Sequence, residues 1–448
     1  MTDRSPTADS IPPAALPRSV WILSWISFFA DVSSEMVYPI LPLFMVQVLG
    51  SSKSQLGLME GGAVLLVALM SAYAGYRSDR KGPGGGRVKW IRIGYGMPVL
   101  GKAIIAVATT WPLVMGGRLF DRFGKGLRGA PRDALIADAV SADQRGRAFG
   151  LHRAFDTTGA LIGVLLAAFL LWWLTGTPQE SVSGEVLSTA AQTPAWVYRV
   201  ILWIGAGLGL ASLALSFLVQ ESEANKADIP GDKPVLNEAE AAPGTVAFRS
   251  AKELPFAERK ATDWLGMPSS YWLVMAVLGL FSLANSSDTF LLLRASDLGY
   301  SPWLVVLAYA LFNVTYAGLS YPIGVLSDRL GRWRIIAVGW AIYAGVYATI
   351  AWLPKSQAWG LWPLMAVYGV YMALTEGVGK ALIADHAPQE SRGAAMGIFY
   401  ALTGLTTLGA SLLAGVVWDR VGPESALLMG AGFAILALAV LGLVRHRV

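Results

Sequence analysis

Twelve apolar runs, each about as long as a membrane-spanning helix, follow one another along this chain of 448 residues. An α-helix needs about 20 residues to cross roughly 30 Å of hydrocarbon. Apolar residues make up 54% of the chain and charged residues 15%, which is unusual for a soluble protein. The sequence therefore predicts an all-α integral membrane protein with twelve transmembrane helices. The predicted spans are 19–46, 55–76, 91–110, 112–139, 148–174, 196–219, 270–293, 302–325, 335–354, 359–384, 395–417 and 424–444.

A short segment occurs twice and indicates that the chain consists of two related halves. Residues 134–138, Ala-Leu-Ile-Ala-Asp, return as residues 381–385, which is a displacement of 247 positions. Over the 17 positions that start at these two segments, nine residues are identical without a gap. Internal repeats are typical of secondary transporters. We therefore predict two pseudo-symmetric six-helix bundles, at 19–219 and 269–448.

The polar segments and the positive charges predict how the chain lies in the membrane. Six lysines and arginines fall between residues 77 and 92, in the second connection, whereas the odd-numbered connections hold few. Under the positive-inside rule, both termini are cytoplasmic. Residues 1–18 are then a cytoplasmic tail and 220–268 a cytoplasmic linker. We predict a multi-pass protein of a bacterial-type inner (plasma) membrane, in contact with the lipid bilayer.

The residue types that are scarce in the chain exclude several classes of site. The chain has no cysteine and three histidines, so we expect no thiolate or histidine-rich metal site and no cofactor. No cluster of nucleophile and base is evident at the water interface, so we do not expect an enzyme. The net charge of +5 comes largely from loops, so we expect no nucleic-acid partner. A monomer is expected.

One loop pattern occurs between spans two and three and again between spans eight and nine. It consists of a glycine, three residues, Asp-Arg, one residue and a glycine, at 75–82 and 324–331. This pattern resembles the signature loop of the major facilitator superfamily, and the resemblance covers essentially the whole chain. It implies the two-bundle fold, alternating access and a gating role for both loops. The alternative is that these charges only anchor the loops at the membrane surface. The gating residues implied are Gly75, Asp79, Arg80, Gly324, Asp328 and Arg329.

Span five adds a resemblance to the drug/proton antiporter-like members of that family. Gly150, Gly159 and Gly163 keep the spacing of their span-five motif, although Val164 and Ala167 depart from it. Close helix packing alone would also explain these small residues.

Two carboxylates in span one are the first candidates for proton coupling. Asp31 and Glu35 are four residues apart, so they share a helix face inside the membrane. Two carboxylates this close repel when both are ionised, which favours binding of a proton. The alternative is a structural pair bonded to Ser33, Ser34 or a lysine.

Span four carries a charged stripe that cannot face lipid. Segment 122–126 also resembles the family's fourth-span motif, whose arginine is implicated in proton coupling, with Lys125 in place of the usual glutamine. We therefore add span-four residues to the proton-coupling candidates, with a self-neutralising structural cluster as the alternative. These added candidates are Arg118, Asp121 and Arg122.

The second half lacks this stripe, since the positions of Arg118 and Asp121 are taken by Met365 and Tyr368. Lys102 in span three is either a partner of Asp31 or a contact for an anionic substrate. The predicted cavity residues are Lys102, Lys125, Arg128, Asp288, Tyr368 and Glu376.

Taken together, these features predict a secondary active transporter that moves a small organic solute by alternating access. We favour proton-coupled efflux, by antiport, because protonation of a cavity carboxylate can change which facing state is more stable. The alternatives are proton-coupled uptake of an organic anion and a transport-dead sensor with the same fold.

Overall fold

The computed structural model describes residues 16–79, 86–140, 144–175, 193–220, 262–263, 267–387 and 392–444. Its helices are α1 (Arg18–Val37), α2 (Leu41–Leu43), α3 (Lys53–Asp79), α4 (Arg87–Val107), α5 (Trp111–Asp138), α6 (Arg145–Thr175), α7 (Ala195–Ser216), α8 (Ser269–Ser282), α9 (Thr289–Asp297), α10 (Pro302–Leu330), α11 (Arg332–Ala351), α12 (Leu361–His386), α13 (Arg392–Arg420) and α14 (Pro423–Val444). A π-helical turn, Phe44–Val48, follows α2, and a 3-10 helix, Lys355–Gly360, precedes α12. Two short strands, β1 (Thr262–Asp263) and β2 (Met267–Pro268), pair antiparallel.

Every predicted span is mainly helical, which confirms the all-α membrane architecture. Nine helical stretches of the described residues are long and apolar enough to cross a membrane. The other three spans are the charged helices α5 and α12 and the interrupted pair α8 and α9. The tail at 1–18 and the linker at 220–268 lie mostly outside the described residues, so those boundaries stay predictions.

The first and seventh spans are interrupted, which the sequence analysis did not predict. In the first span, α1 ends at Val37, and Pro39 and Pro42 follow, neither of which can donate a backbone hydrogen bond. In the seventh span, residues 283–288 separate α8 from α9. The Ser287 hydroxyl accepts hydrogen bonds from the backbone and hydroxyl of Thr289, at 3.4 and 2.9 Å, and so competes with helical pairing.

The two bundles contact each other mainly through α3 with α13 and α6 with α10. We call the membrane side on which α1 begins and α14 ends the terminal side, and the opposite side the far side. The close contacts between α3 and α13 lie on the far side. A side chain at Gly57 would overlap the backbone of Ser411, so glycine is needed for this approach. The bundles are therefore closed together on the far side.

The repeated segment has the same contact in both bundles. Asp138, at the end of α5, forms an ion pair with Arg87 at the start of α4. Asp385, near the end of α12, forms an ion pair with Arg332 at the start of α11, with 2.9 Å between Oδ2 and Nη1. In each bundle, the aspartate of the duplicated segment thus joins the end of one helix to the start of another on the terminal side.

Candidate functional site

A central cavity of about 680 Å³ lies between the bundles. It continues towards the terminal side as a vestibule of about 470 Å³, whose lining includes Gly324, Asp328 and Arg332. Both bundles contribute to the central cavity, as alternating access requires. Its polar lining comprises Asp31, Glu35, Ser71, Lys125, Arg128, Arg132, Arg153, Asp156, Thr157, Tyr309, Asn313, Tyr316, Ser320 and Tyr321.

Both predicted carboxylates of span one line this cavity. Glu35 accepts a hydrogen bond from the Tyr309 hydroxyl of α10, at 3.3 Å, and this bond crosses from one bundle to the other. The nearby serines bond elsewhere, since Ser33 donates to the Gly205 carbonyl at 2.5 Å and Ser34 contacts Lys102 at 3.5 Å. Glu35 therefore lies where its protonation state can act on the contact between bundles.

Asp31 has a partner that the sequence analysis did not assign. Its carboxyl group is in hydrogen-bonding contact with that of Asp156 on α6. Asp156 also accepts from Ser27 at 2.7 Å and pairs with Arg153 at 3.1 Å. Two carboxyl groups in contact can share one proton, because like charges this close do not both ionise readily.

The stripe of α5 is bound into a buried ion network. Arg118 donates two hydrogen bonds to Glu60 of α3, at 3.0 and 2.9 Å. Asp121 lies 3.3 Å from Arg122, 3.4 Å from Lys102 and 3.8 Å from Arg118. Buried charges need such partners, because removing them from water is costly. Roles in proton coupling for Arg118, Asp121 and Arg122 stay predictions.

Two features of this network differ from the sequence analysis. Lys102 pairs with Asp121 and not with Asp31, and it is absent from the described lining of the cavity. Glu60 was missed, although a single acid inside the apolar run of span two was a usable signal.

Lys125 and Arg128 line the cavity, as predicted, and differ from the rest of the stripe. Among the described residues, no carboxylate oxygen lies within 4.0 Å of either cation. Arg128 is 4% exposed, and its guanidinium lies 4.3 Å from the centre of the Tyr95 ring. These two cations are the charges of the cavity wall that a bound anion could satisfy.

Asp288 and Tyr368 lie together in the second bundle. The Tyr368 hydroxyl donates to the Asp288 carboxylate at 2.6 Å, and Tyr368 is fully buried. Asp288 belongs to the interrupted seventh span and lines a pocket of about 370 Å³ that also contains Arg122 and Lys125. Tyr368 therefore positions Asp288 and is not itself among the described lining residues.

Glu376 lies in the vestibule and not in the central cavity. It accepts hydrogen bonds from the Tyr316 hydroxyl at 2.5 Å and from Lys380 at 2.8 Å.

The two gating loops are described to different extents. Arg80 and the side chain of Asp79 lie outside the described residues, whereas the backbone of Gly75 is part of α3. In the second loop, Asp328 at the end of α10 pairs with Arg332 at 3.6 Å, and the side chain of Arg329 is exposed. Asp328 is therefore bound within its own bundle here.

Comparison with known proteins agrees with this architecture. The family model of the Major Facilitator Superfamily matches residues 23–406. An uncharacterized MFS-type transporter of Methanocaldococcus jannaschii is 30% identical over 431 residues, covering 94% of each chain. A multi-drug resistance efflux pump PmrA homolog of Lactococcus lactis is 25% identical, over 82% of this chain and 80% of its own.

A solved structure shows the same fold. It is a bacterial homolog of the human lysosomal transporter Spinster, in an inward-facing and occupied conformation. It matches with a TM-score of 0.67 at 15% identity and covers 95% of this chain and 96% of that chain. The family match over most of the sequence, together with the two bundles and the cavity between them, shows that the chain belongs to the major facilitator superfamily.

Proposed function

We propose that this protein is a proton-coupled exporter of a small organic solute in a bacterial-type inner membrane. Both termini are cytoplasmic in this proposal, so the cavity described above is open to the cytoplasm. The observation that carries the proposal is the bond between Glu35 and Tyr309, which joins a cavity carboxylate of one bundle to the other bundle. Gain or loss of a proton at Glu35 changes this bond and hence the balance between facing states.

The direction of transport is supported by similarity. The Lactococcus lactis relative is described as a homolog of a multi-drug resistance efflux pump. Aromatic residues of α10, including Tyr309 and Tyr316, lie beside the carboxylates in the cavity. A wall that combines rings with a few charges suits an amphipathic solute.

Glu35→Gln tests the coupling in proteoliposomes with an imposed pH gradient. We expect the variant to lose solute accumulation driven by the gradient and to keep exchange of labelled for unlabelled solute. A panel of toxic organic compounds, screened first by growth of a pump-deficient strain, supplies the solute. The control is Glu424→Gln, because Glu424 pairs with Arg294 on the far side and is not among the described cavity residues. Full accumulation by Glu35→Gln would contradict the proposal.

Uptake of an organic anion is a second candidate, favoured by the unpaired Lys125 and Arg128 in the cavity wall. Counterflow with labelled organic anions separates the two functions. Inward flux of anions that exceeds extrusion of any screened compound, and that is unchanged by Asp31→Asn, would replace efflux by uptake. Any measured solute movement excludes the transport-dead sensor.

A further inference from the structure

The far-side closure contains a contact between bundles that resembles a helix cap. Asp419, in the last turn of α13, accepts hydrogen bonds from the backbone N–H groups of Lys53 and Ser54, at 2.9 and 2.8 Å. It also accepts from the Ser54 hydroxyl at 2.7 Å. These groups form the start of α3 in the other bundle. The first N–H groups of a helix lack partners within it and carry partial positive charge, so a carboxylate binds them well.

The sequence around Asp419 repeats the loop pattern a third time. Residues 415–422 consist of a glycine, three residues, Asp-Arg, one residue and a glycine, as do 75–82 and 324–331. The third copy lies on the far side, whereas the other two lie on the terminal side. Gly415 is one helical turn before Asp419, and a side chain there would overlap the backbone of Lys53. The glycine thus permits the approach that brings the carboxylate to α3.

The start of α3 also has a cap from its own sequence. The Gln55 N–H donates to the Ser52 hydroxyl at 3.2 Å, and the Ser52 N–H donates to the Gln55 side chain at 3.1 Å. This reciprocal pair is a capping box, and it remains when the bundles separate. Asp419 can therefore leave without unwinding the helix. Asp419 is exposed to solvent, so water can replace these hydrogen bonds when the bundles separate.

We propose that Asp419 is a gating residue that keeps the far side closed while the terminal side is open. Its bonds join the two bundles across the interface of α3 and α13, so they must break when the far side opens. This role depends on alternating access and not on the coupling ion or the solute. The gating role of Asp419 can therefore be tested independently of the proposed proton-coupled export.

Cysteine labelling provides the test, because the natural chain contains no cysteine. Ser411→Cys places a single thiol beside the far-side interface, where Ser411 is fully buried and its backbone lies against Gly57 of α3. Ser320→Cys places one in the cavity wall on the terminal side. A polar maleimide is added to each protein in lipid nanodiscs, so that the reagent reaches both faces, and the rates are compared with and without Asp419→Asn.

We expect Asp419→Asn to speed labelling at Ser411→Cys about threefold, because the amide keeps one acceptor oxygen but loses the negative charge and the second acceptor at the start of α3. Labelling at Ser320→Cys should become slower, because the terminal-open state is less populated. Ser54→Ala removes one of the three bonds to Asp419, together with a 2.8 Å contact to the Ser52 hydroxyl, and should give a smaller change of the same sign. General loosening of the fold would instead speed labelling at both positions.

Asp297→Asn is the matched control. Asp297 also lies at a far-side helix end, that of α9, and it interacts electrostatically with Lys53. No hydrogen bond joins it to α3 among the described residues. Equal acceleration by Asp297→Asn, or unchanged labelling with both Asp419→Asn and Ser54→Ala, would overturn the assignment. Ser54→Ala leaves the carboxylate in place, so it decides the matter even if Asp419→Asn does not fold.

Discussion

In the first bundle, charged groups of α3, α4 and α5 bind one another in the interior, whereas the equivalent region of the second bundle is filled by tyrosines. Tyr368 of α12 occupies the position that Asp121 occupies in α5, at the offset of 247 residues. Around Tyr368, the ring centres of Tyr343 and Tyr347 are 4.0 Å apart, and those of Tyr368 and Tyr371 are 5.2 Å apart.

This difference shows how the two halves divide the work around the cavity. A buried charge requires a partner at a short distance, and the ion network of the first bundle supplies one for each of its members. The two cations outside this network, Lys125 and Arg128, face the cavity. Rings need only close packing, with a hydroxyl available for one hydrogen bond. The first bundle therefore supplies the charges of the cavity, and the second supplies a supporting aromatic core.

The largest effect is expected where the ion network loses a carboxylate. Glu60→Gln removes the carboxylate that accepts both hydrogen bonds from the buried Arg118 and leaves it only the more distant Asp121, at 3.8 Å, so it should lower the free energy of unfolding by about 3 kcal/mol. Glu376→Gln is the comparison in the second half, because the pair of Glu376 and Lys380 is partly exposed and should cost about 1 kcal/mol or less. Unfolding of the purified proteins in detergent measures both. Equal losses of unfolding free energy in the two variants would contradict this difference between the buried charges of the first bundle and the partly exposed pair of the second.

A smaller effect is expected from the second bundle's buried hydroxyl. Tyr368→Phe keeps the ring and removes the donor to Asp288, which should cost about 1.5 to 3 kcal/mol, as for other hydrogen bonds to charged groups. Tyr347→Phe is the control, since it also keeps the ring, and the Tyr347 hydroxyl lies among other hydroxyl groups and donates to no carboxylate among the described residues. The same unfolding assay applies. A larger loss from Tyr347→Phe than from Tyr368→Phe would argue against the Asp288 contact.

The smallest effect on stability is expected at the unpaired cation of the cavity. Lys125→Met removes no ion pair, so the free energy of unfolding should change by about 1 kcal/mol or less. A small increase and a small decrease both agree with this expectation. Lys102→Met is the matched comparison, because it breaks the pair with Asp121 and should destabilise the protein clearly. If both substitutions cost the same, Lys125 has a structural partner after all.

The architecture could be predicted from the sequence because apolar length and helical periodicity are local properties. The same holds for the α5 stripe, where steps of three and four residues bring Arg118, Asp121 and Arg122 to one side of the helix. The interruption of the seventh span was harder to predict from the sequence. The serines at 286 and 287 compete with helical bonds, but one of those contacts, from the Ser287 N–H to the Ser411 hydroxyl at 3.0 Å, needs α13 beside it.

The residues whose partners the sequence analysis missed share one property. Glu60, Asp156 and Asp419 each act through a helix that is distant in the chain, and each resembles an ordinary polar residue until that helix is in place. Lys102 shows the same limit of sequence analysis. Its ion-pair partner could have been Asp31 or Asp121, and only the packing of the helices places it beside Asp121. The third copy of the loop pattern, at 415–422, was the one signal that could have singled out Asp419.

By itself, the sequence determined the twelve membrane spans, the two related halves and the concentration of charge in the first half. Each follows from the order of residues along one segment or from its repetition. Only the tertiary structure decided which charges pair, which two cations face the cavity and which side of the membrane is closed. Those outcomes depend on distances of about 3 to 4 Å between separate helices, because hydrogen bonds weaken steeply beyond that range and the attraction between charges falls as their separation grows.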